Sequence, residues 1–386
     1  MNLEKVIKIS KKIAKNISLS TQVPVSVNGT STPYYLYAAV TAITSLAKGK
    51  KNINIPNMIM KPPLNPTSET ATGKLSKTSY IQTAQNIKSF MEKNKRAPNY
   101  ATTTIGKVNY ANLVHMFARI LNFYACNARL PNYVNIATTT LKTYRKGVWV
   151  WGGDVASMNM SILEKYKITD VFIGETGFND MRSIQAIKNK NMRVHAWIIC
   201  LKRDGSWVDP GDTANRNRLK NKVSELVKKG VDGIHLDYIR YPGTAYYKYQ
   251  NATGKIAELV KELSTFAKSL KPNMIVSAAL MPEKEANAYY YGQDYAKLAP
   301  HLDVLIPMAY KGNYHANSTN STWIKDVTAY IKHTSKKPVW TGLQTYRSDQ
   351  KPTPILCEEL QADVNTAKNG GADGWVYFRY GLLPKP

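Results

Sequence analysis

From Gly147 onward, short apolar runs alternate with amphipathic stretches. The runs Val148–Trp151, Asp170–Gly174, Arg193–Leu201, Gly233–Tyr238, Met274–Leu280, Val304–Met308, Pro338–Leu343 and Gly374–Phe378 have the length and β-branched content of buried strands. Between them, stretches such as Asn217–Lys229 and Gly254–Leu270 repeat apolar residues at helical spacing. Eight strands alternating with helices predict an α/β fold, a (β/α)8 TIM barrel over 147–386. A doubly wound open sheet is the alternative. No Gly-x-Gly-x-x-Gly follows the first strand, so nothing indicates a dinucleotide site.

The first 146 residues follow a different pattern. Leu3, Val6, Ile7, Ile13, Ala14 and Ile17 fall on one helical face, with Ser10 its only polar member and Ile9 off it. Tyr80, Ala84, Ile87 and Met91 form a similar face further on. Pro24 and Pro98, and likewise Pro56 and Pro131, recur at an interval of about 75 residues. Pro56, Pro98 and Pro131 each open a Pro-Asn step. Later helices, near 33–48 and 109–126, align through Tyr35 with Tyr110 and Leu46 with Leu121. Each unit therefore reads as helix, Pro loop, helix, Pro-Asn loop. The Pro/Thr/Ser-rich segment Lys61–Gly73 reads as the linker between units. The predicted organisation is a mainly α-helical tandem-repeat region, with one degenerate unit and linker at 1–73 and a second unit at 74–146, followed by the barrel.

Charge sharpens that division. Residues 1–146 hold 21 Lys plus Arg against three Glu and no Asp, a net of +18, whereas 147–386 hold 32 basic and 23 acidic residues, a net of +9. All seven tryptophans lie at or beyond Trp149. Such asymmetry marks a boundary and calls for a polyanionic partner for the first part. Nucleic acid, an anionic membrane and an acidic wall polymer all qualify on charge alone. No recognised nucleic-acid reading motif accompanies it.

Lys93-Asn-Lys-Arg-Ala-Pro-Asn-Tyr100, a Tyr-led helix and then Ala128-Arg-Leu-Pro-Asn-Tyr-Val134 resemble the pseudomurein-binding repeat of methanogen wall proteins and their viruses. The second copy carries the resemblance, and the first has Val23-Pro-Val-Ser where the first Pro-Asn-Tyr would stand. The resemblance implies attachment to pseudomurein, a wall polymer bearing uronate and glutamate carboxylates. The charge fits this independently. The implied wall-binding residues are Pro98, Asn99, Tyr100, Pro131, Asn132 and Tyr133. Buried loop anchoring is the competing role for the two tyrosines.

The chemistry of the second part centres on Gly230-Val-Asp-Gly-Ile-His-Leu-Asp-Tyr-Ile-Arg-Tyr-Pro-Gly243, the predicted fourth strand. Alternation places His235 and Asp237 on one face and Ile234, Leu236 and Tyr238 on the other. If the apolar set meets the helices, Asp237 points into the barrel near its catalytic rim, where an isolated buried carboxylate is too costly to be idle. In a purely structural alternative Asp237 pairs with Arg240 or with His235. For His235 alone, a hydrogen-bonded core role outweighs a catalytic one.

This strand, with Ser277-Ala-Ala-Leu-Met-Pro, Asp303–Tyr310 and Thr341–Tyr346, resembles barrel glycoside hydrolases, most closely bacterial and archaeal families carrying Asp-Gly-Ile-x-Leu-Asp-Tyr-Ile-Arg-Tyr-Pro. The alpha-amylase-like pattern Asp-Gly-x-Arg-x-Asp is related, and its nucleophile maps onto Asp237. Position 235 is His and the seventh strand ends in Gln344, so a strict amylase mechanism is not implied. Chitinases carry Asp-x-x-Asp-x-Asp-x-Glu, whose catalytic Glu falls at Ile239, which removes the chitinase mechanism as such. A glycosidase ordinarily needs a second carboxyl to protonate the leaving oxygen. Glu283, after the fifth strand, is the first candidate and Glu175, after the second, the next; Glu285 is two residues beyond Glu283. An N-acetylated substrate can also assist its own cleavage, leaving work for a single acid.

His235, Arg240, Tyr310, Gln344, Trp375 and Asp154 complete the candidate sugar contacts. Aromatic residues crowd the predicted loops: Trp207, Tyr246, Tyr247, Tyr249, Tyr289, Tyr290, Tyr291, Tyr310 and Tyr314. Such rings stack on sugar C–H faces. Trp149, Trp151, Trp197, Trp340 and Trp375 lie on or beside strands and read mainly as core.

The three cysteines are far apart, and no His/Asp/Glu cluster has metal-ligand spacing, so neither a disulfide scaffold nor a metal or other cofactor is expected. Lysines at 5, 8, 11 and 12 break up the N-terminal apolar run, so it lacks a secretory signal's h-region. The expectation is a secreted or virus-encoded wall-lytic glycoside hydrolase acting outside the cell or at the wall; without a recognisable signal peptide, release of a virus-encoded enzyme at lysis is one route there. Its partner is pseudomurein or another acidic wall polysaccharide; no nucleic acid, no membrane span and a monomeric state are expected. The alternatives are a glycosidase acting on another surface polysaccharide and a non-catalytic glycan-binding adhesin.

Overall fold

A computed structural model describes residues 1–20, 22–67, 69–137, 140–141, 143–248, 251–314 and 322–384. The chain divides into two compact units, Met1–Thr143 and Tyr144–Pro386. The division falls just before the boundary predicted from charge. Arg145 and Lys146, counted there with the basic repeats, belong to the first barrel strand, where Arg145 pairs in register with Gly374.

The first unit is built on four helices: α1 Leu3–Ser20, α2 Thr32–Ala47, α3 Lys77–Asn94 and α4 Tyr110–Asn127. Ser31, Ser76 and Asn109 cap α2, α3 and α4 by accepting the backbone N–H three residues on. Lys95 and Ala128 end α3 and α4 in the left-handed conformation, and Pro98 and Pro131 follow within a few residues. The prolines of the repeat thus mark helix ends.

The two copies do not form separate cores. α1 packs on α4 and α2 on α3, and residues from Val6 to Ile136 share one apolar cluster. α2 is buried from Thr32 to Thr44, as a central helix must be. The buried face of α1 is Val6, Ile9, Ser10, Ile13 and Ile17, rotated from the predicted face so that Ile9 is inside. Ser10 is satisfied there by Val6 O and the Tyr35 hydroxyl, both at 2.8 Å.

The predicted helix alignment also shifts. The hairpin before α4 (Tyr100–Thr103 with Gly106–Asn109) is longer than the one before α2 (Ser26–Val27 with Thr30–Ser31), which moves α4 out of the proline register. Lys61–Gly73 is not a free linker. Lys61 bridges to Arg96, Asn65 N–H donates to Asn99 Oδ1 at 2.9 Å, and Ala71 N–H donates to Lys107 O at 2.7 Å.

The second unit is a closed barrel of eight parallel strands: β1 Arg145–Val150, β2 Asp170–Gly174, β3 Arg193–Ile199, β4 Gly233–Asp237, β5 Ile275–Leu280, β6 Val304–Ala309, β7 Trp340–Gln344 and β8 Gly374–Phe378. They pair in chain order, and β8 closes on β1 through Val376 opposite Gly147. Helices such as Thr213–Lys228, Ala252–Leu270, Thr322–Ser335 and Cys357–Asn369 follow β3, β4, β6 and β7. Alternation sorts the side chains. Val148, Val171, Val194, Ile234, Leu236, Val276, Leu305 and Leu343 face the helices, and Trp149, Phe172, Ile306, Trp340 and Val376 fill the interior. Gly147 leaves room for Phe172, since a Cβ there would lie 2.8 Å from its ring.

Asp170 lies fully buried at the start of β2. It accepts from Arg145 Nε (2.9 Å), Arg193 Nε (2.7 Å), His195 Nε2 (2.9 Å) and Thr169 Oγ1 (2.6 Å). Burial alone would raise its pKa, but the His195 hydrogen bond and the cationic neighbours hold it well below the usual carboxylate range. The carboxylate ties β1, β2 and β3 together at the base of the barrel, away from the chemistry. Replacing it breaks a buried network in which the carboxylate accepts from four side chains. Asp170→Asn is expected to cost about 3–5 kcal/mol in denaturant unfolding; a cost under about 1 kcal/mol would mean that the network adds nothing to barrel closure.

Candidate active site

The C-terminal ends of the strands enclose a cavity of about 470 Å³. Trp149 on β1, Trp151 just after it, Trp197 on β3, Tyr310 after β6 and Phe378 on β8 form its aromatic wall. Tyr310 stacks on Phe378 with ring centroids 4.9 Å apart. Asp237, the last residue of β4, reaches this cavity and is only 8% exposed. Trp197 Nε1 donates to its Oδ2 at 2.9 Å and Tyr238 N–H to its Oδ1 at 2.7 Å. Tyr238 takes a positive φ of 50°, an uncommon conformation for a bulky residue and a sign that the turn is held by its surroundings. Burial raises the Asp237 pKa, and the Trp197 and Tyr238 donors and the Arg240 charge oppose the rise without cancelling it.

His235 lies one layer deeper and is fully buried. Trp149 Nε1 donates to His235 Nε2 at 3.1 Å, so Nδ1 carries the ring proton and donates to Ser277 Oγ at 2.9 Å. Burial and the neighbouring His195 push its pKa far down, which keeps the ring neutral. His235 therefore supports Trp149 in place of touching a ligand, which corrects its candidate sugar contact.

Arg240 forms no side-chain bond to Asp237. Its guanidinium lies 4.8 Å from the Trp207 ring, 5.4 Å from Tyr238 and 5.3 Å from Tyr291, and it donates to Tyr241 O at 3.0 Å. It lines the cavity together with Lys202.

Glu283, in the loop after β5, lines neither the 470 Å³ cavity nor the pocket beside it. It reaches toward Asp237 only by way of Arg240, whose charge acts on both carboxyls. It accepts at Oε1 from Tyr314 (3.0 Å) and Tyr291 (3.3 Å). Its Oε2 is buried and has no hydrogen-bond partner among the described residues. Burial raises the pKa, partly countered by the tyrosine hydroxyls, the local backbone and Arg240. An oxygen in that position suits the protonated form of the acid.

The other candidates separate. Glu175 lies in an adjoining pocket of about 400 Å³ between the β2 and β3 loops, accepting from Ile199 N–H at 3.3 Å with Lys222 Nζ 3.7 Å away. Gln344 is committed to Asn313, through Oε1 to its N–H (3.1 Å) and Nε2 to its Oδ1 (3.0 Å), and so braces the loop after β6. Asp154 sits on the short turn after β1 and lines neither pocket. Trp375 is corrected outright: it packs on the helix side of β8 against Tyr144 at 5.6 Å, with Lys368 5.0 Å from its ring. Glu285 is the residue before the short helix Ala286–Tyr291.

Tyr246, Tyr247, Tyr289 and Tyr290 form an exposed cluster on the β4 and β5 loops, with Tyr246 stacked on Tyr289 at 4.5 Å. Tyr249 lies outside the described residues. Sequence reasoning passed over Trp197 as Asp237's donor, although it stands opposite His235 in register and so shares the inward face. It also missed Asp349, which Tyr346 holds at 2.6 Å in the loop after β7, and there no periodicity could have found it.

In the first unit, Pro98 and Pro131 are buried anchors, and Pro131 O accepts the Tyr80 hydroxyl at 2.6 Å. Asn99 is tied to Asn65. Asn132 is exposed, and its carbonyl accepts Lys77 N–H at 2.8 Å. Tyr100 and Tyr133 are exposed at 41% and 49%. Lys107 lies 4.8 Å from the Tyr100 ring and Lys74 3.8 Å from that of Tyr133.

A closed eight-stranded barrel with an aromatic cleft around a carboxyl group at the end of β4 is the framework of a glycoside hydrolase. The profile of glycosyl hydrolases family 18 matches residues 98–354, more than half of the chain, and the chain belongs to that family. The pseudomurein-binding repeat matches residues 71–103, ahead of the barrel. The chain is thus a cell-wall glycoside hydrolase with a wall polysaccharide as substrate. Among the described residues no helix is long and apolar enough to cross a membrane, and no His/Cys/Asp/Glu group could hold a metal ion.

Similar solved structures include the PgaB (BpsB) glycoside hydrolase domain from Bordetella bronchiseptica, at 12% identity over 61% of this chain and 94% of that one, with a TM-score of 0.49. A class V chitinase from Pseudomonas fluorescens Pf-5 aligns at 15% over 62% and 96%, TM-score 0.48. The spore cortex-lytic enzyme SleL from Bacillus megaterium QM B1551 aligns at 12% over 86% and 85%, TM-score 0.47. No curated protein matches the chain.

The Asp-x-x-Asp-x-Asp-x-Glu spacing of the chitinases meets Asp232, His235, Asp237 and Ile239 here. Ile239 is fully buried. Asp237 is therefore the carboxyl of that pattern at the cavity, and its protonation should govern the acid side of the pH profile. Trp197→Phe removes the side-chain donor that favours the ionised form, so the Asp237 pKa should rise further. The acid limb of kcat/KM should move to higher pH with little change near the optimum. A limb unmoved in a folded Trp197→Phe would assign it to another group.

Proposed function

We propose that the barrel hydrolyses the glycan of pseudomurein while the first unit holds the enzyme on the wall, and that Asp237 is the carboxylate on which the reaction depends. The observation that carries this reading is Asp237 itself, fixed at both oxygens in an aromatic cavity at the end of β4. The other acids lining that cavity are differently placed: the Asp204 side chain is 89% exposed, and Asp349 is committed to Tyr346 and Asn313.

In the proposed reaction Glu283 gives its proton to the leaving oxygen as the glycosidic C–O bond breaks. Ionised Asp237 stabilises the positive charge that develops at the anomeric carbon. Water then adds to that carbon and its proton returns to the Glu283 carboxylate. Where the sugar carries an acetamido group, its oxygen can stand in for an enzyme nucleophile, with Asp237 orienting it. The raised pKa of Glu283 keeps it protonated to higher pH than an ordinary glutamate, as a general acid requires. The aromatic wall supplies stacking faces for the sugar rings.

Mass spectrometry of soluble products from purified pseudomurein sacculi tests the reading. Glycan fragments with new reducing ends are expected. Release of peptides with the glycan intact, or no release at all, would contradict it.

A further inference from the structure

We propose that a groove on the first unit, built from α4 and the second Pro-Asn-Tyr step, is the seat of a carboxylate-bearing glycan strand held by Arg119 and Arg129. The groove has a volume of about 600 Å³ and runs between the C-terminal half of α4 and the segment Pro131–Asn135. That size is within the range of ligand pockets. The repeat profile ends at residue 103; Pro131, Asn132 and Tyr133 in the lining are wall-binding residues implied by the second copy, and Arg119, Asn122 and Phe123 of α4 add to them.

Its lining contains Arg119 and Arg129 and no acidic residue. Arg119 spends one donor on Asn135 O at 2.7 Å, and Arg129 lies 5.1 Å over the Phe123 ring. Among the described residues neither guanidinium is ion-paired, so both keep donors for a ligand. Arginine is also unevenly placed: residues 1–95 contain none, and the second copy has Arg96, Arg119 and Arg129. Lysine alone would serve a diffuse positive surface. The planar guanidinium fork matches a carboxylate bidentately, and two of them in an acid-free groove make a specific site from the unit's general charge.

The remaining lining suits a sugar. Asn122 and Asn132 offer amides to hydroxyl or acetamido groups. Phe123 and Tyr133, each with a cation over its ring, bring aromatic surface to the groove for sugar C–H contact. A nucleic acid would answer to the same charge, but the groove belongs to a chain that carries a pseudomurein-binding repeat ahead of a family 18 glycosyl hydrolase barrel, which favours a glycan. The occupant is therefore an acidic glycan, its carboxylates on Arg119 and Arg129. The inference rests on the wall-binding half of the reading above and requires no hydrolysis.

Calorimetric titration of the full-length protein tests it, with oligogalacturonate, its carboxyl-reduced neutral form and single-stranded DNA of equal charge as probes. Two groove variants, Arg129→Gln and Arg119→Gln/Arg129→Gln, are compared with Lys50→Gln/Lys51→Gln, which removes equal charge from exposed positions of the same unit. Oligogalacturonate should bind the parent protein and weaken with salt. Arg129→Gln should lose about tenfold in affinity, the double variant more, and the lysine control less than about twofold. Arg129→Gln removes no backbone bond, so it decides the matter even if the double variant unfolds by circular dichroism. Absence of oligogalacturonate binding, equal losses in groove and control variants, or equal binding of the neutral oligomer would overturn the proposal. Tighter binding of DNA through the same arginines would replace the glycan with a polyphosphate. Should oligogalacturonate bind through the groove while wall sacculi do not, the groove stands and the wall-binding reading fails.

Discussion

The hydrogen bond from the Trp149 indole to His235 joins the closure of the barrel to the shape of its site. Trp149 stands on the strand that closes the barrel, His235 on β4, and Ser277 on β5 takes the other imidazole nitrogen. Each of these polar groups would cost about 1–3 kcal/mol if left buried and unpaired, so the three side chains fix one another. The indole held in this way becomes part of the cavity wall. Below it, Asp170 collects Arg145, Arg193 and His195 across β1 to β3. Above it, Asp237 takes its donors from Trp197 and its own turn. The barrel axis is therefore a column of hydrogen-bonded polar groups inside an apolar wall, in which His195 Nδ1 has no partner among the described residues, and its top member, Asp237, reaches the cavity.

This column explains how a family-18 barrel accommodates Ile239. A carboxylate needs donors or solvent; Asp237 has the Trp197 indole and Tyr238 N–H, whereas position 239 is fully buried within the apolar cluster, where isoleucine fits and an unpartnered charge would be costly. The second acid then has to come from elsewhere. In the proposed reaction that acid is Glu283, on the next loop, with tyrosine hydroxyls on one oxygen and, among the described residues, no partner on the other. Arg240, boxed by Trp207, Tyr238 and Tyr291, lowers the pKa of both carboxyls, which makes it an electrostatic link between them. The division of labour between the units follows charge. Acids concentrate in the barrel, where they are needed for chemistry, and the first 146 residues keep only three.

Much of this was legible in the sequence because strands have a period of two. In Gly233–Asp237 the apolar Ile234 and Leu236 mark the outer face, which leaves His235 and Asp237 inward. Periodicity fails where both faces are apolar. Trp375 and Val376 are equally acceptable inside, and only the closed barrel shows Trp375 against the helices. It fails again for partners. Nothing in the sequence says that His235 spends both nitrogens on Trp149 and Ser277, or that Gln344 spends its amide on Asn313. Glu283 and Asp349 lie on loops, whose paths depend on contacts distant in sequence. In the first unit the proline spacing was readable, but the shared core was not. Two copies that look independent along the chain bury their helices against each other, because α2 is too apolar to leave any face exposed.

The central claim is that Asp237, and no carboxylate at 239, supports hydrolysis in this barrel. The most direct measurement compares the parent protein with Asp237→Asn for release of reducing ends from wall sacculi, alongside thermal unfolding of both. The substitution is nearly isosteric and keeps an acceptor for Trp197. The account predicts a loss on the order of a hundredfold or more in rate with the unfolding temperature and wall binding retained. Undiminished hydrolysis by a folded Asp237→Asn would contradict it.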